Sequence, residues 1–183
     1  IFLPAIAVGR GVETLAGQNI GAGKEDRAAR TSAFAAKIMF LVLSGAAVVV
    51  WITAPSIMAV FNDDPQVISV GADFLRIVAP TFGFTGVMRA YSGGFRGAGK
   101  TMIAAAIAIF TLGIVRLPVA WFAVIEFDLG TTGLFAAFIV SNILGALIAF
   151  GWYRRGTWRG ADITDEPSPV SASGVEDETA VDD

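Results

Sequence analysis

The sequence predicts an all-α, polytopic membrane helix bundle followed by a disordered acidic tail. Three observations carry this. Hydrophobic residues make up 55% of the 183-residue chain, and mean hydropathy is +0.67. Charged residues are only 16%, against about 25% in ordinary globular domains. The uncharged residues also gather in long runs, and ~20 apolar residues in a helix cross the ~30 Å of membrane hydrocarbon. Backbone groups in lipid must be satisfied within the segment, so such runs read as helices. The sequence has no amphipathic helices that could cover them in a soluble core.

Five spans are expected, within a bundle over residues 1–160. Ile1–Ala22 reads as a span cut short at its start, with Arg10 and Glu13 inside it. Ile38–Phe61 is uncharged, and Pro55 is expected to break its far end. Val67–Ser92 carries Asp73, Arg76 and Arg89, and its uncharged middle, Ile77–Met88, contains Pro80. Met102–Ile125 holds one charge, Arg116. Leu129–Tyr153 is uncharged over 25 residues. The chain opens on Ile1 without an initiator Met or a visible signal peptide, so it reads as a fragment of a longer protein.

The connections set the orientation. The first holds Lys24, Arg27 and Arg30, the third Arg96 and Lys100, and the last Arg154, Arg155 and Arg159. The second has Asp63 and Asp64, and the fourth Glu126 and Asp128, both without a base. Cytoplasmic loops carry the Lys and Arg excess. The expectation is a multi-pass protein of the cell membrane with a cytoplasmic C-terminus.

The net charge of −3 conceals two opposed regions: all 13 bases and eight acids lie at or before Arg159, and the other eight acids lie beyond it. The bundle is therefore +5 and the tail −8. Residues 161–183 are rich in Asp, Glu, Ser, Thr and Pro and cannot bury enough apolar surface to offset ordering entropy. Their acidity fits a high-salt cytoplasm. The chain has no cysteine and no histidine. Disulfides, thiolate metal sites and imidazole proton shuttles are therefore excluded for it. No nucleophile–base pair is visible, so the reading is not an enzyme, with no cofactor, no metal and no nucleic-acid partner expected.

Gly94-Phe-Arg-Gly-Ala-Gly-Lys100-Thr101 matches the P-loop pattern letter for letter. A P-loop follows a buried strand in a soluble α/β domain. Here both flanks are membrane helices, so nucleotide binding is rejected and the glycines are read as a cytoplasmic turn. Gly21-Ala-Gly-Lys24 echoes Gly97-Ala-Gly-Lys100. Small residues at Gly17, Gly21, Gly45, Ala104 and Gly145 are read as helix-packing positions.

Charges inside spans are costly and usually face a bundle interior or an aqueous cavity. Glu13 lies 11 residues before Lys24, ~16 Å at the helical rise and near the midplane. It reads either as a cation or substrate site or as a structural pair with Arg10, one turn away. Arg116 and the pair Asp73–Arg76 read as structural first. Gln18, Asn19, Thr85 and Asn142 are polar candidates for a cavity wall or for interhelical hydrogen bonds.

The run Gly17-Gln-Asn-Ile-Gly-Ala-Gly-Lys-Glu-Asp-Arg-Ala-Ala-Arg30 resembles the "GQ-x-x-GA-G … R" signature of multidrug and toxic compound extrusion (MATE) transporters. Phe95-Arg-Gly-Ala-Gly-Lys-Thr101 is similar to their second cytoplasmic turn, Phe61-Asn-Asp-Asp-Pro65 to the outer loop between the turns, and Val115-Arg-Leu-Pro-Val-Ala-Trp121 to an "R-x-P" segment of the penultimate helix. The family has twelve helices in two lobes. The resemblance places this chain as helices eight to twelve, with the first lobe of the same protein as the missing partner. It implies export of cationic or amphipathic organic compounds across the lipid bilayer, by antiport against Na⁺ or H⁺ with alternating access. In many members the coupling carboxylates lie in the missing lobe; some others place an acid in helix ten, but Ile77–Ser92 contains none. The alternatives are a flippase for lipid- or oligosaccharide-linked substrates and a non-transporting membrane scaffold.

Overall fold

The computed structural model describes residues 2–160. The acidic tail expected to be disordered lies outside the described residues. Five helical traverses make a bundle, with no strand among the described residues. The first is α1 (Phe2–Gly21) and the second α2 (Glu25–Ala59). The third is α3 (Pro65–Val78) and α4 (Phe82–Gly97), joined by a 3₁₀ turn at Ala79–Thr81. The fourth joins α5 (Thr101–Ile109), a π-helical segment at Phe110–Arg116, α6 (Leu117–Trp121) and a second π-helical segment at Phe122–Glu126. The last is α7 (Gly130–Arg154).

Among the described residues, four helices are long and apolar enough to cross a membrane: Glu25–Ala59, Pro65–Gly97, Thr101–Glu126 and Gly130–Arg154. The first traverse, α1, is a 20-residue helix that carries both Arg10 and Glu13. Leu41, Ile52, Ile109, Leu117 and Trp121 are exposed on the outside of the bundle. A belt of large apolar side chains suits contact with lipid.

Close approaches fix the direction of each traverse. Gly9 meets Gly93, and Glu13 meets Gly97, so α1 and α4 run parallel. Met39 meets Gly86 and Ser44 meets Gly83, so α2 runs against α4. Tyr153 meets Gly94 and Met88 meets Gly145, so α7 runs with α4. Thr111 meets Gly145 and Ala123 meets Gly133, so the fourth traverse runs against α7. The basic connections therefore share one face of the bundle and the two acidic loops share the other, as the loop charges require.

The structure corrects several boundaries. The first basic connection is only Ala22–Lys24, because α2 starts at Glu25 and carries Arg27, Arg30 and Lys37 on its opening turns. Glu25 and Asp26 in that first turn favour an early start against the helix dipole. Pro55 does not break α2, which continues to Ala59. Pro80, by contrast, ends an α-helix: it cannot donate to the ladder and crowds the carbonyl four residues back. Pro118 lies between the two π-helical segments, whose wider turns absorb the same conflict.

Gly94 and Gly97 are not turn residues. They lie within α4, and only Ala98–Lys100 form the turn. The echo between the two Gly-Ala-Gly-Lys sequences is structural. Gly99 has φ +70° and Gly23 φ +69°. The Lys100 amide donates to the Phe95 carbonyl and the Gly99 amide to that of Arg96; the Lys24 amide donates to the Asn19 carbonyl and the Gly23 amide to that of Ile20. These are two Schellman closures, each needing glycine at the left-handed position.

Candidate substrate cavity

A cavity of about 470 Å³ lies between α1, α2, the third and fourth traverses and α7. Its apolar wall includes Leu43, Phe74, Phe82, Leu112 and Phe138. Its polar wall is Thr85, Arg89, Ser92, Arg96, Arg116 and Asn142. Two of the three departures from α geometry border it: Val78 and Phe82 flank the 3₁₀ turn, and Leu112 and Arg116 lie on the first π-helical segment. Such segments free backbone groups and re-aim side chains, which suits a lining position.

Arg116 anchors a polar chain. Its Nε donates to Ser141 Oγ at 2.9 Å and an Nη to Asn142 Oδ1 at 2.9 Å. Its guanidinium carbon lies 4.4 Å from the Phe138 ring centre, a cation–π arrangement. Asn142 Nδ2 donates to Thr81 Oγ1 at 2.8 Å, and Thr81 Oγ1 donates to the Val78 carbonyl at 2.7 Å. The chain thus runs from the fourth traverse through α7 to the Pro80 break.

Arg96 Nε donates to Glu13 Oε2 at 2.8 Å, joining α4 to α1. Glu13 thus pairs with Arg96 and not with Arg10, the partner in one of its two sequence readings. Arg10 is exposed, and the glycine contacts of α1 with α4 bring Glu13 beside the end of α4. Arg89 Nε is buried and has no hydrogen-bond partner among the described residues.

Three residues picked from the sequence, Thr85, Arg116 and Asn142, share the cavity wall. Glu13 stands at its edge through Arg96, while Gln18 is exposed. Asp73 and Arg76 form no ion pair among the described residues; Asp73 is exposed and Arg76 half-buried. Both instead line a separate pocket of about 160 Å³ with Thr131, Thr132 and Phe135. The P-loop match forms no phosphate cradle, its first two glycines being spent on packing against Ser32, Tyr153 and Glu13. Sequence reasoning missed Arg89, Ser92 and Arg96 as lining residues. Their signal was spacing: Thr85, Arg89, Ser92 and Arg96 recur at four, three and four residues, one face of a helix.

Beyond the cavity, toward the face of the basic connections, the bundle is closed by an aromatic plug. Tyr153 stacks on Trp158 at 4.8 Å and meets Phe95 edge-on at 5.2 Å. Tyr153 Oη is 2.9 Å from Ser32 Oγ, and Trp158 Nε1 donates to the Tyr153 carbonyl at 3.0 Å. Arg159 then donates to Asp26 at 3.0 Å, and the Gly160 amide donates to Glu25.

The MatE family model matches residues 1–122. The chain belongs to the MatE family. It is 30% identical over 159 residues to the probable multidrug resistance protein YpnP of Bacillus subtilis, covering 87% of this chain and 35% of that protein. It is 24% identical to the probable multidrug resistance protein NorM of Thermotoga maritima, covering 86% of this chain and 34% of that one. The chain therefore spans about a third of the length of these curated relatives. Among solved structures, an inward-facing multidrug resistance MATE transporter of the MOP superfamily superposes with a TM-score of 0.79 at 18% identity, over 84% of this chain and 36% of that one. The bundle thus has the fold of part of a MATE transporter, in a multi-pass membrane protein.

Proposed function

We propose that this MatE chain is part of a secondary active transporter that exports amphipathic organic compounds by alternating access, with Na⁺ or H⁺ moving in exchange. The observation that carries this is the cavity: about 470 Å³, walled by aromatic and aliphatic side chains with a few convergent polar groups, as expected of a site for a drug-sized molecule. The multidrug resistance relatives support the same reading. Thr85, Arg116 and Asn142 are the lining residues we assign to the pathway. Glu13 is assigned a positioning role, holding Arg96 at the cavity edge, and Arg10 and Gln18 are left outside it. The first lobe of the same protein would complete the chamber. The basic connections would face the cytoplasm, with the C-terminus on that side of the cell membrane.

The test is transport by the intact protein in proteoliposomes. A fluorescent amphipathic drug should move against its gradient when an opposing Na⁺ or pH gradient is imposed, and stop when both gradients are collapsed. Movement that ignores both gradients would exclude antiport.

A further inference from the structure

Among the described residues the cavity wall carries three arginines, Arg89, Arg96 and Arg116, and no carboxylate. Arg96 is neutralised from the side by Glu13. Arg116 is held by the neutral groups of Ser141 and Asn142 and by the Phe138 face. Arg89 has its buried Nε unpartnered among the described residues. Two cationic side chains thus line one chamber with no compensating acid among the described residues. Charges in a membrane interior are costly and are ordinarily paired, and an organic cation beside Arg89 and Arg116 would add repulsion. The lining also includes Phe74 and Phe82, with Phe138 beneath Arg116, and these rings suit a flat apolar body.

We infer that this cavity takes amphipathic organic anions: a carboxylate, sulfonate or phosphate set against Arg89 and Arg116, on an apolar body lodged among the phenylalanines. The inference rests on the efflux reading above and specifies its substrate class. Arg89 is the binding residue whose buried Nε has no partner among the described residues, whereas Arg116 already spends two donors on Ser141 and Asn142. An anionic lipid headgroup offers the same chemistry as a soluble organic anion, and a carboxylate from another part of the protein is the competing occupant.

The experiment compares two probes with one ring system and opposite charge, anthracene-9-carboxylate and anthracen-9-ylmethylammonium, on the purified intact protein by fluorescence titration. Wild type should bind the anion at least tenfold tighter than the cation. Arg89→Gln should lose roughly tenfold or more in anion affinity, the scale of one charge-assisted hydrogen bond, without weakening the cation. Arg89→Lys should keep most of the preference. Competition by phosphatidylglycerol vesicles against the carboxylate probe would identify a lipid headgroup as the anion; no competition would assign the site to a soluble one. Equal binding of both probes overturns the inference. So does an Arg89→Gln variant that weakens both probes alike, or one that loses thermal stability with its preference intact, since Arg89 would then be paired within the protein. In proteoliposomes, export of the cation alone overturns the inference and leaves efflux standing. Export of neither probe sinks the efflux reading, and the titration then decides the charge preference by itself.

Discussion

Helices α4 and α7 together build two regions that treat polar groups in opposite ways. Toward the basic connections they form the plug, where Phe95, Tyr153 and Trp158 are buried and each polar atom named there has a partner: the Tyr153 hydroxyl meets Ser32, and the Trp158 indole meets a carbonyl. Further along the same helices they line the cavity, where among the described residues the buried Nε of Arg89 has no partner and Arg116 is held by neutral groups. Satisfied polar groups inside dense aromatic packing rigidify a structure; unsatisfied charge is retained where something else is to be met. Residues that hold the bundle are thereby separated from those that line its cavity. Plug variants should cost stability and leave selectivity alone, and cavity variants should tilt toward the reverse.

The largest effect should come from Trp158→Ala, which removes a side chain only 1% exposed. A loss of about 3–5 kcal/mol is the usual cost of such a truncation. It should appear as a clear fall in the thermal unfolding midpoint, with the anion-to-cation preference of surviving protein unchanged. Next is Asn142→Leu, which removes the acceptor of one Arg116 Nη and the amide donor to Thr81 Oγ1. Losing these two bonds should cost about 2–3 kcal/mol. This variant sharpens the comparison, because here alone stability and substrate affinity should fall together in the same titration. Tyr153→Phe deletes one hydrogen bond in the plug. It should cost about 1 kcal/mol, since Ser32 can turn back to its own helix carbonyl. The smallest effect should be Arg159→Gln. Its side chain is 46% exposed, so its bonds with Asp26 and Glu25 are screened and worth less than about 1 kcal/mol. The shift should vanish in high salt.

Most of the fold was legible in the sequence because membrane spans announce themselves by length and charge. The alternation of basic and base-free loops gave the up–down order that the glycine contacts reproduce. What was illegible was anything that depended on which helices touch. Glu13 had an apparent partner one turn away in Arg10, yet the approach of α1 to α4 through Gly9, Gly93 and Gly97 delivered it to Arg96 instead. Asp73 and Arg76 stand one turn apart in sequence, yet they line one pocket without an ion pair among the described residues. Gly94 and Gly97 looked like turn residues because a run of glycines reads alike whether it bends a chain or admits a neighbour. The plug was hidden for a related reason: Trp158 follows the last span and precedes an acidic tail, so nothing local shows that it folds back onto Tyr153. Three lining residues, Thr85, Arg116 and Asn142, were found because polar groups inside apolar runs stand out. Arg89 and Arg96 were visible as charges, and only their spacing with Thr85 and Ser92 would have placed them on one face.

The division between plug and cavity can be measured directly, since the chain contains no cysteine. Single cysteines at Ser92 and at Ser32, introduced into the intact protein in a background free of other cysteines, would be exposed to a small anionic thiol reagent such as methanethiosulfonate ethylsulfonate. Ser92→Cys should react readily and be protected by bound anthracene-9-carboxylate, while Ser32→Cys, beneath Tyr153, should react slowly with or without the probe. Equal labelling of the two positions, or a Ser92→Cys site that the probe fails to protect, would contradict the account.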